Sequence, residues 1–323
     1  LLAGAGLTEI WSAPFVGDAR HTALGWAADE ARARTVALAN PLSDEAPLMR
    51  ISVLSTMIDA LVRNVARGAR DVGLFEIGLV VARDGEQTSA PTEDVGVQPS
   101  PEVLAAIHRA VPRQPRHLAI LLAGDRDRAG WWGEGRPADV SDVLGLVRSV
   151  ADALAVPVVL SGSADVMPFH PGRCAAISLA DGTLVGHAGE LHPKVVAALG
   201  LPSRTVAAEL DLDVLIAASE DPVAARTLVT SPAAYTDLAV VVDEAVTAGS
   251  LEASLATGAG EMLESITLFD VYRGDQVGPG RKSLAYRLAF RAPDRTLRTE
   301  EVSALRDAAL ARAAVDLGAT QRT

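Results

Sequence analysis

The densest concentration of chemistry-bearing side chains lies near the C-terminus. Between Asp270 and Arg298 stand seven basic residues (Arg273, Arg281, Lys282, Arg287, Arg291, Arg295 and Arg298) against three acids (Asp270, Asp275 and Asp294), in a chain whose formal charge is −12. A basic island in an acidic chain suits local binding of phosphates or bases rather than a bulk electrostatic coat. Along Ser283–Arg291, Leu284, Tyr286, Leu288 and Phe290 share one face of a strand, so Arg287 and Arg291 emerge on the other beside Ala285 and Ala289. An open sheet face of that kind suits RNA. The competing reading is a solvated polar face, and stacking aromatics are sparse in the pattern.

Other candidate sites are weaker. His170, Cys174, His187 and His192 are residue types that bind zinc, but their spacing matches no standard site. His170 and His192 each precede a proline (HPGR, LHPK), which points to structural roles in turns. Glu76, a charge inside the apolar LFEIG run, reads as a buried, hydrogen-bonded carboxylate, with a ligand for a basic partner as the alternative. Trp131-Trp132 reads as core or interface. The chain holds no Walker loop, dinucleotide glycine loop or GxSxG elbow, and Cys174 lacks a convincing base. No catalytic residue and no metal site is assigned.

These residues need elements to hold them. Leu1–Gly6 reads as the last turn of a helix that begins earlier, so the chain is expected to be a piece of something longer. Leu7–Trp11 alternates as a strand ending at Pro14. Met49, Val53, Met57, Leu61 and Val65 recur at fours, predicting a helix over Leu48–Arg67. Asp71–Val81 and His117–Ala123 are apolar strands, and Arg83–Pro101 is a polar loop. Asp139 or Ser141 caps a helix to about Ala153. Strands at Val158–Leu160, Ala175–Leu179 and Leu184–Ala188 precede a helix from Pro193 to Leu199. Helices and strands mix without regular βαβ alternation, which predicts α+β with a mainly antiparallel sheet. Beyond a boundary at Asp211–Thr230, the order strand, helix, strand, strand, helix, strand is the ferredoxin-like βαββαβ unit. Thr299 is the expected cap of its long helix, and Gly318 its end.

Composition bounds the rest. At 323 residues the chain exceeds one ordinary core and predicts two or three domains. Half the residues are apolar and 22% charged, ordinary for a globular protein. A single cysteine forms no internal disulfide and fits a reducing, cytoplasmic setting. Apolar runs such as Leu118–Ala123 fall far short of the ~18–20 residues that span a bilayer, so no membrane partner is expected.

Several motifs carry a family resemblance. NPLSDE (Asn40–Glu45), RNVARGARDVGLFEIG (Arg63–Gly78), FHPGR (Phe169–Arg173) and GHAGELHPKV (Gly186–Val195) resemble the beta subunit of bacterial phenylalanyl-tRNA synthetase. So do SPAAYTDLAVVVDE (Ser231–Glu244) and LFDVYRGDQVGPGRKSLAYRLAFRAPDRTLRTEEV (Leu268–Val302), which are similar to its ferredoxin-fold anticodon-binding domain. The resemblance implies a class II synthetase-like module without its active site over residues 1–205, a linker over 206–230, and an anticodon-binding domain over 231–323.

Within the first module, Gly6-Leu7 through Pro14 resembles class II motif 1, a subunit interface. Phe75–Arg83 resembles motif 2, with Ala82 where an ATP-binding arginine belongs. Gly186–Lys194 stands at motif 3, with His192-Pro193 in place of a glycine-flanked arginine. Without those arginines the phosphates of ATP lack their stabilising charges. Catalysis is therefore expected from an alpha-subunit partner in an (αβ)2 heterotetramer that uses ATP and Mg2+, with no cofactor held by this chain. The usual upstream domains (an OB fold, an editing module and a magnesium-bearing domain) fall outside these residues.

The resemblance also implies contact with tRNA(Phe) through Tyr235, Asp237, Tyr272, Arg273, Arg281, Lys282, Arg287 and Arg291. The family's first strand opens on Arg-Asp where this chain has Thr236-Asp237. That contact would fall instead to Tyr235 or the basic group at 273–291. The alternative function is an independent adenylate-forming ligase on a class II-like fold, which needs both missing arginines.

Overall fold

The computed structural model describes residues 1–81, 83, 90–94, 96–219 and 229–322. The chain divides into two compact units, Leu1–Val223 and Ala224–Thr323. Both are mixed α+β built on largely antiparallel sheets.

The first unit is built on a seven-stranded sheet. Its strands lie side by side in the order Thr8–Glu9, Val72–Leu79, Arg116–Ala123, Val206–Asp211, Leu184–Leu191, Phe169–Leu179 and Val158–Gly162. The first pair is parallel and every other pair antiparallel. Both faces are covered, which is why the central run LAILLA is apolar at every position. Leu118, Ile120 and Leu122 pack toward the Val140–Ala153 helix, and Ala119, Leu121 and Ala123 toward the Leu54–Ala66 helix. Leu54, Met57, Ile58 and Leu61 recur at helical spacing and are fully buried, each worth about 1.5–3 kcal/mol. Of the two expected caps, Asp139 is the one that holds the Val140–Ala153 helix, in a capping box with Asp142.

The predicted helix over Leu48–Arg67 starts six residues later, at Leu54. Leu48–Met49 instead pairs with Phe15–Val16, and the helix's first amides are taken by a carboxylate from elsewhere: Glu209 accepts from Val53 N at 2.9 Å and Leu54 N at 3.3 Å. Two segments without a predicted element also hold structure. Pro101–Ala110 is a helix capped by Ser100, and Val206–Asp211 is a central strand rather than the start of a linker. Trp131 and Trp132 are not core. They protrude from the hairpin of Asp125–Asp127 and Arg136–Pro137 and are 94% and 67% exposed. Ala82, residues 84–89 and 95 of the Arg83–Pro101 connection and residues 220–228 of the 206–230 connection lie outside the described residues.

The second unit has the predicted βαββαβ order, with strands Ala234–Asp243, Leu263–Tyr272, Arg281–Phe290 and Thr320–Gln321 and helices Ala248–Ala259 and Thr299–Leu317. The sheet order puts Arg281–Phe290 between Leu263–Tyr272 and Ala234–Asp243, with Thr320–Gln321 at the far edge. Both helices cover one sheet face, burying Leu251, Leu255, Val302, Ala309 and Ala313 against Leu284, Tyr286, Leu288 and Phe290. Tyr286 is satisfied there by donating its hydroxyl to the Ala248 carbonyl at 2.9 Å. Thr299 is the first helical residue, not the cap. Arg298 holds that position, its amide bound by Glu301 at 2.9 Å. Gly318 ends the helix in the left-handed region at φ 64°, as predicted.

Candidate nucleic-acid interface

The second unit's other sheet face carries the expected arginines, and strand register decides what each one meets. Arg287 lies opposite Asp237 on one neighbouring strand and Thr267 on the other. Its guanidinium grips Asp237 in a fork, Nε to Oδ1 at 2.8 Å and Nη2 to Oδ2 at 2.9 Å. The arginine holds the Asp237 carboxyl below its usual range, and the carboxylate in turn raises Arg287. Both side chains remain about half exposed, so the pair is solvated and exchangeable.

Aromatic surface on this face is richer than the pattern suggested. Tyr235, opposite Ala289, is 67% exposed. Phe269 is 54% exposed, and the Arg287 guanidinium carbon stands 5.6 Å above its ring. Phe269 lies at a bulge, where Leu268 pairs with Tyr286 and Asp270 with Ala285. The signal for it was present: Ile266 and Leu268 pack toward the core, so Thr267 and Phe269 must point away. Tyr272, opposite Ser283, lies under Arg322, whose guanidinium carbon is 4.4 Å from the ring centroid. Arg322 was missed because it follows the short final strand.

The predicted residues therefore fall into separate groups. Tyr235, Asp237 and Arg287 line one shallow depression of about 390 Å³ with Thr236. Arg273 and Arg281 line another of about 450 Å³ beside Gly278, Pro279 and Gly280, where Arg273 is bidentate to Glu244. Arg291 sits at the strand end, bound to Glu264 at 2.8 Å and to the Ser231 carbonyl. Lys282 reaches the same Glu244 carboxylate, at 3.8 Å, from the core side. It shares the side of Leu284 and Tyr286, is 8% exposed, and donates to the Glu244 carbonyl at 2.8 Å. Its parity with the core leucines puts it there.

The first unit's sheet handles charge in the opposite way. Arg50 and Glu76 are both buried and meet at 2.8 Å. Arg50 also donates to Thr56 Oγ1 at 2.8 Å, Ser12 Oγ at 3.0 Å and the Leu79 carbonyl at 2.9 Å. Gly78 leaves room for this guanidinium, since a Cβ there would collide with it. Glu76 is thus the buried, hydrogen-bonded carboxylate of the structural reading. Glu209 lies in the same row of the sheet, both residues pairing with Ala119. It binds His117 Nδ1 at 2.7 Å, the Ser52 hydroxyl and the start of the Leu54–Ala66 helix. Burial opposes both charges, yet the contact raises His117 and lowers Glu209. Arg50, the cation on this stretch, is wholly committed.

The histidines of the imagined zinc site occupy their own places. His170 and His192 hold turns, each Nδ1 accepting the amide two residues on, from Gly172 and Lys194, at 3.0 Å. Burial pushes the Cys174 thiol up to about 11 and lowers His187. Among the described residues, no group of three or more histidines, cysteines or carboxylates converges to hold a metal ion. None of the described helices is long and apolar enough to cross a membrane.

Comparison with known proteins agrees along the chain. Residues 1–212 match the family described as phenylalanyl tRNA synthetase beta chain CLM domain, and residues 230–322 match the ferredoxin-fold anticodon binding domain. Among curated relatives, the phenylalanine–tRNA ligase beta subunit of Thermobifida fusca is 48% identical over 99% of this chain and 39% of its own length. That of Streptomyces avermitilis is 47% identical over 100% of this chain and 39% of its own length. That of Cutibacterium acnes is 44% identical over 99% and 38%. The chain thus spans about two fifths of the length of these relatives.

Proposed function

The chain belongs to the phenylalanyl-tRNA synthetase beta chain family, and from that premise we propose that it is a non-catalytic part of a phenylalanine–tRNA ligase that binds the anticodon region of tRNA(Phe). Residues 231–323 serve as the anticodon-binding domain. The observation that carries this reading is the open sheet face, where Tyr235 and Phe269 flank the Asp237–Arg287 fork. Exposed aromatic rings and a planar guanidinium stack unpaired bases, and a carboxylate accepts from the amino and imino edges that bases present when unpaired. Arg273, Arg281 and Arg291 at the margins suit the flanking phosphates. Glu244 and Glu264, the present acidic partners of Arg273 and Arg291, are exposed, so a phosphate can replace them at little cost.

The first unit acts as a synthetase-like scaffold for an alpha subunit in an (αβ)2 assembly. That partner supplies the ATP- and Mg2+-dependent charging step, in the cytoplasm. Trp11, 82% exposed beside the strand of Ile77 and Leu79, themselves 47% and 46% exposed, supports an apolar docking edge there. An independent adenylate-forming ligase is disfavoured because the curated relatives are phenylalanine–tRNA ligase beta subunits and residues 230–322 match an anticodon-binding domain.

The reading is tested by replacing Arg287 and Arg291 with alanine together. Titration of tRNA(Phe) at several salt concentrations should show weaker binding and a shallower salt dependence, by about one to two counterions. Unchanged affinity and slope would reject this face.

A further inference from the structure

His170 and His192 stand side by side, ring centroids 6.4 Å apart and planes inclined by 31°. The strand geometry brings them together. Phe169 pairs with Leu191 while the next pairing is Cys174 with Gly189, so residues 170–173 loop out where His192 leaves the neighbouring strand. Each Nδ1 accepts a backbone amide, from Gly172 and from Lys194, both at 3.0 Å. A ring nitrogen that accepts a hydrogen bond carries no proton, so each neutral imidazole bears its hydrogen on Nε2. Neither Nε2 has a partner among the described residues. The fold has therefore fixed two adjacent side chains as unpaired Nε2–H donors. The same tautomer disfavours a metal ion, because ligation through Nε2 would move the proton to Nδ1, against the amide hydrogen.

The surroundings are cationic. Arg173 and Arg204 share the buried carboxylate of Glu190, at 2.8 and 3.9 Å, and both guanidinium groups stay about half exposed. Lys194, whose amide holds His192, is exposed. Three cations against one acid is an inversion of the surrounding sequence, where residues 1–229 carry 19 basic and 28 acidic side chains. We propose that His170 and His192 form a phosphate-binding pair, donating to two oxygens of one phosphate group. Arg173, Lys194 and Arg204 draw the anion in. A tetrahedral anion accepting at about 2.9 Å on two of its oxygens spans rings at this separation. The group is either a phosphodiester of an RNA strand or a small phosphomonoester.

The test is proton–nitrogen NMR of the full chain labelled in its histidines, titrated separately with inorganic phosphate, phenyl phosphate, a tRNA(Phe) transcript and Zn2+. Saturable shifts of His170 and His192 with phosphate, none at exposed His108, and at least tenfold weaker phosphate binding in the His170→Ala, His192→Ala variant are expected. Retention of the His117 signal shows that this variant is folded. Competition by the transcript assigns the site to RNA; phosphate and phenyl phosphate binding without such competition assigns it to a small phosphomonoester. The proposal is overturned if no phosphate compound moves the two rings, or if Zn2+ moves them and phosphate does not. A transcript that binds the chain but leaves both rings untouched in the absence of phosphate binding rejects this pair while leaving anticodon binding intact.

Discussion

The two units set the same chemistry, an arginine against a carboxylate on a sheet, in opposite solvent environments. In the first unit Arg50 and Glu76 are 3% and 0% exposed and hold Ser12 and Thr56 in one closed network. In the second, Arg287 and Asp237 are 57% and 48% exposed beside solvent-facing aromatics. A buried pair is costly to break because the survivor is left as an unpaired charge in a low dielectric. An exposed pair costs little to exchange, since water and salt already screen it. The first arrangement is architecture. The second is a surface poised to trade partners.

The largest effect should come from breaking the buried pair. Arg50→Met should destabilise the first unit by about 3–5 kcal/mol, with Arg50→Met and Glu76→Leu together recovering much of the loss. Urea unfolding reads both. A single variant near wild-type stability would show that burial does not separate the two regions.

A smaller effect is expected from His117–Glu209, which adds a pH dependence. His117 is raised from its ordinary 6.5, so its contribution is complete below that value and lost as pH rises through the raised one. Glu209 is lowered from 4.5, so its contribution is present above that value and lost as pH falls through the lowered one. The first unit should therefore be most stable between these limits and lose stability on the alkaline side of the histidine range. His117→Gln should remove that alkaline loss and cost about 1.5–3 kcal/mol near pH 6. Thermal unfolding across pH checks it, and a flat wild-type profile above pH 6 would contradict it.

On the open face, truncation should spare stability and strike binding. Tyr235→Ala and Phe269→Ala should each weaken tRNA(Phe) binding by about 1–3 kcal/mol per stacked base, without changing the salt slope. A changed slope with unchanged affinity would assign these rings to framing rather than stacking.

How far this contrast was legible in the sequence depended on distance along the chain. The alternation of Leu284, Tyr286, Leu288 and Phe290 identified the core face, and Asp139 and Gly318 marked helix ends through local chemistry. The same alternation placed Lys282 on the core side, although its charge drew attention to the surface. Pairings set by register or tertiary contact were not legible. The Leu54–Ala66 helix begins where Glu209, 155 residues beyond Leu54, caps it. Arg287 meets Asp237 only because two strands align at that position. The Pro101–Ala110 helix was legible and passed unread: Ser100 and Pro101 are start signals, and Val103, Leu104 and Ile107 fall at helical spacing, although the helix buries no residue fully.

The central claim is that the Tyr235–Phe269–Arg287 face reads the anticodon region. Fluorescence anisotropy at fixed salt can compare the full chain's binding of a tRNA(Phe) transcript with that of the same transcript carrying exchanged anticodon bases. The account predicts about tenfold weaker binding of the exchanged transcript, and loss of that difference in the Tyr235→Ala, Phe269→Ala variant. Equal binding of the two transcripts by the unaltered chain would contradict it.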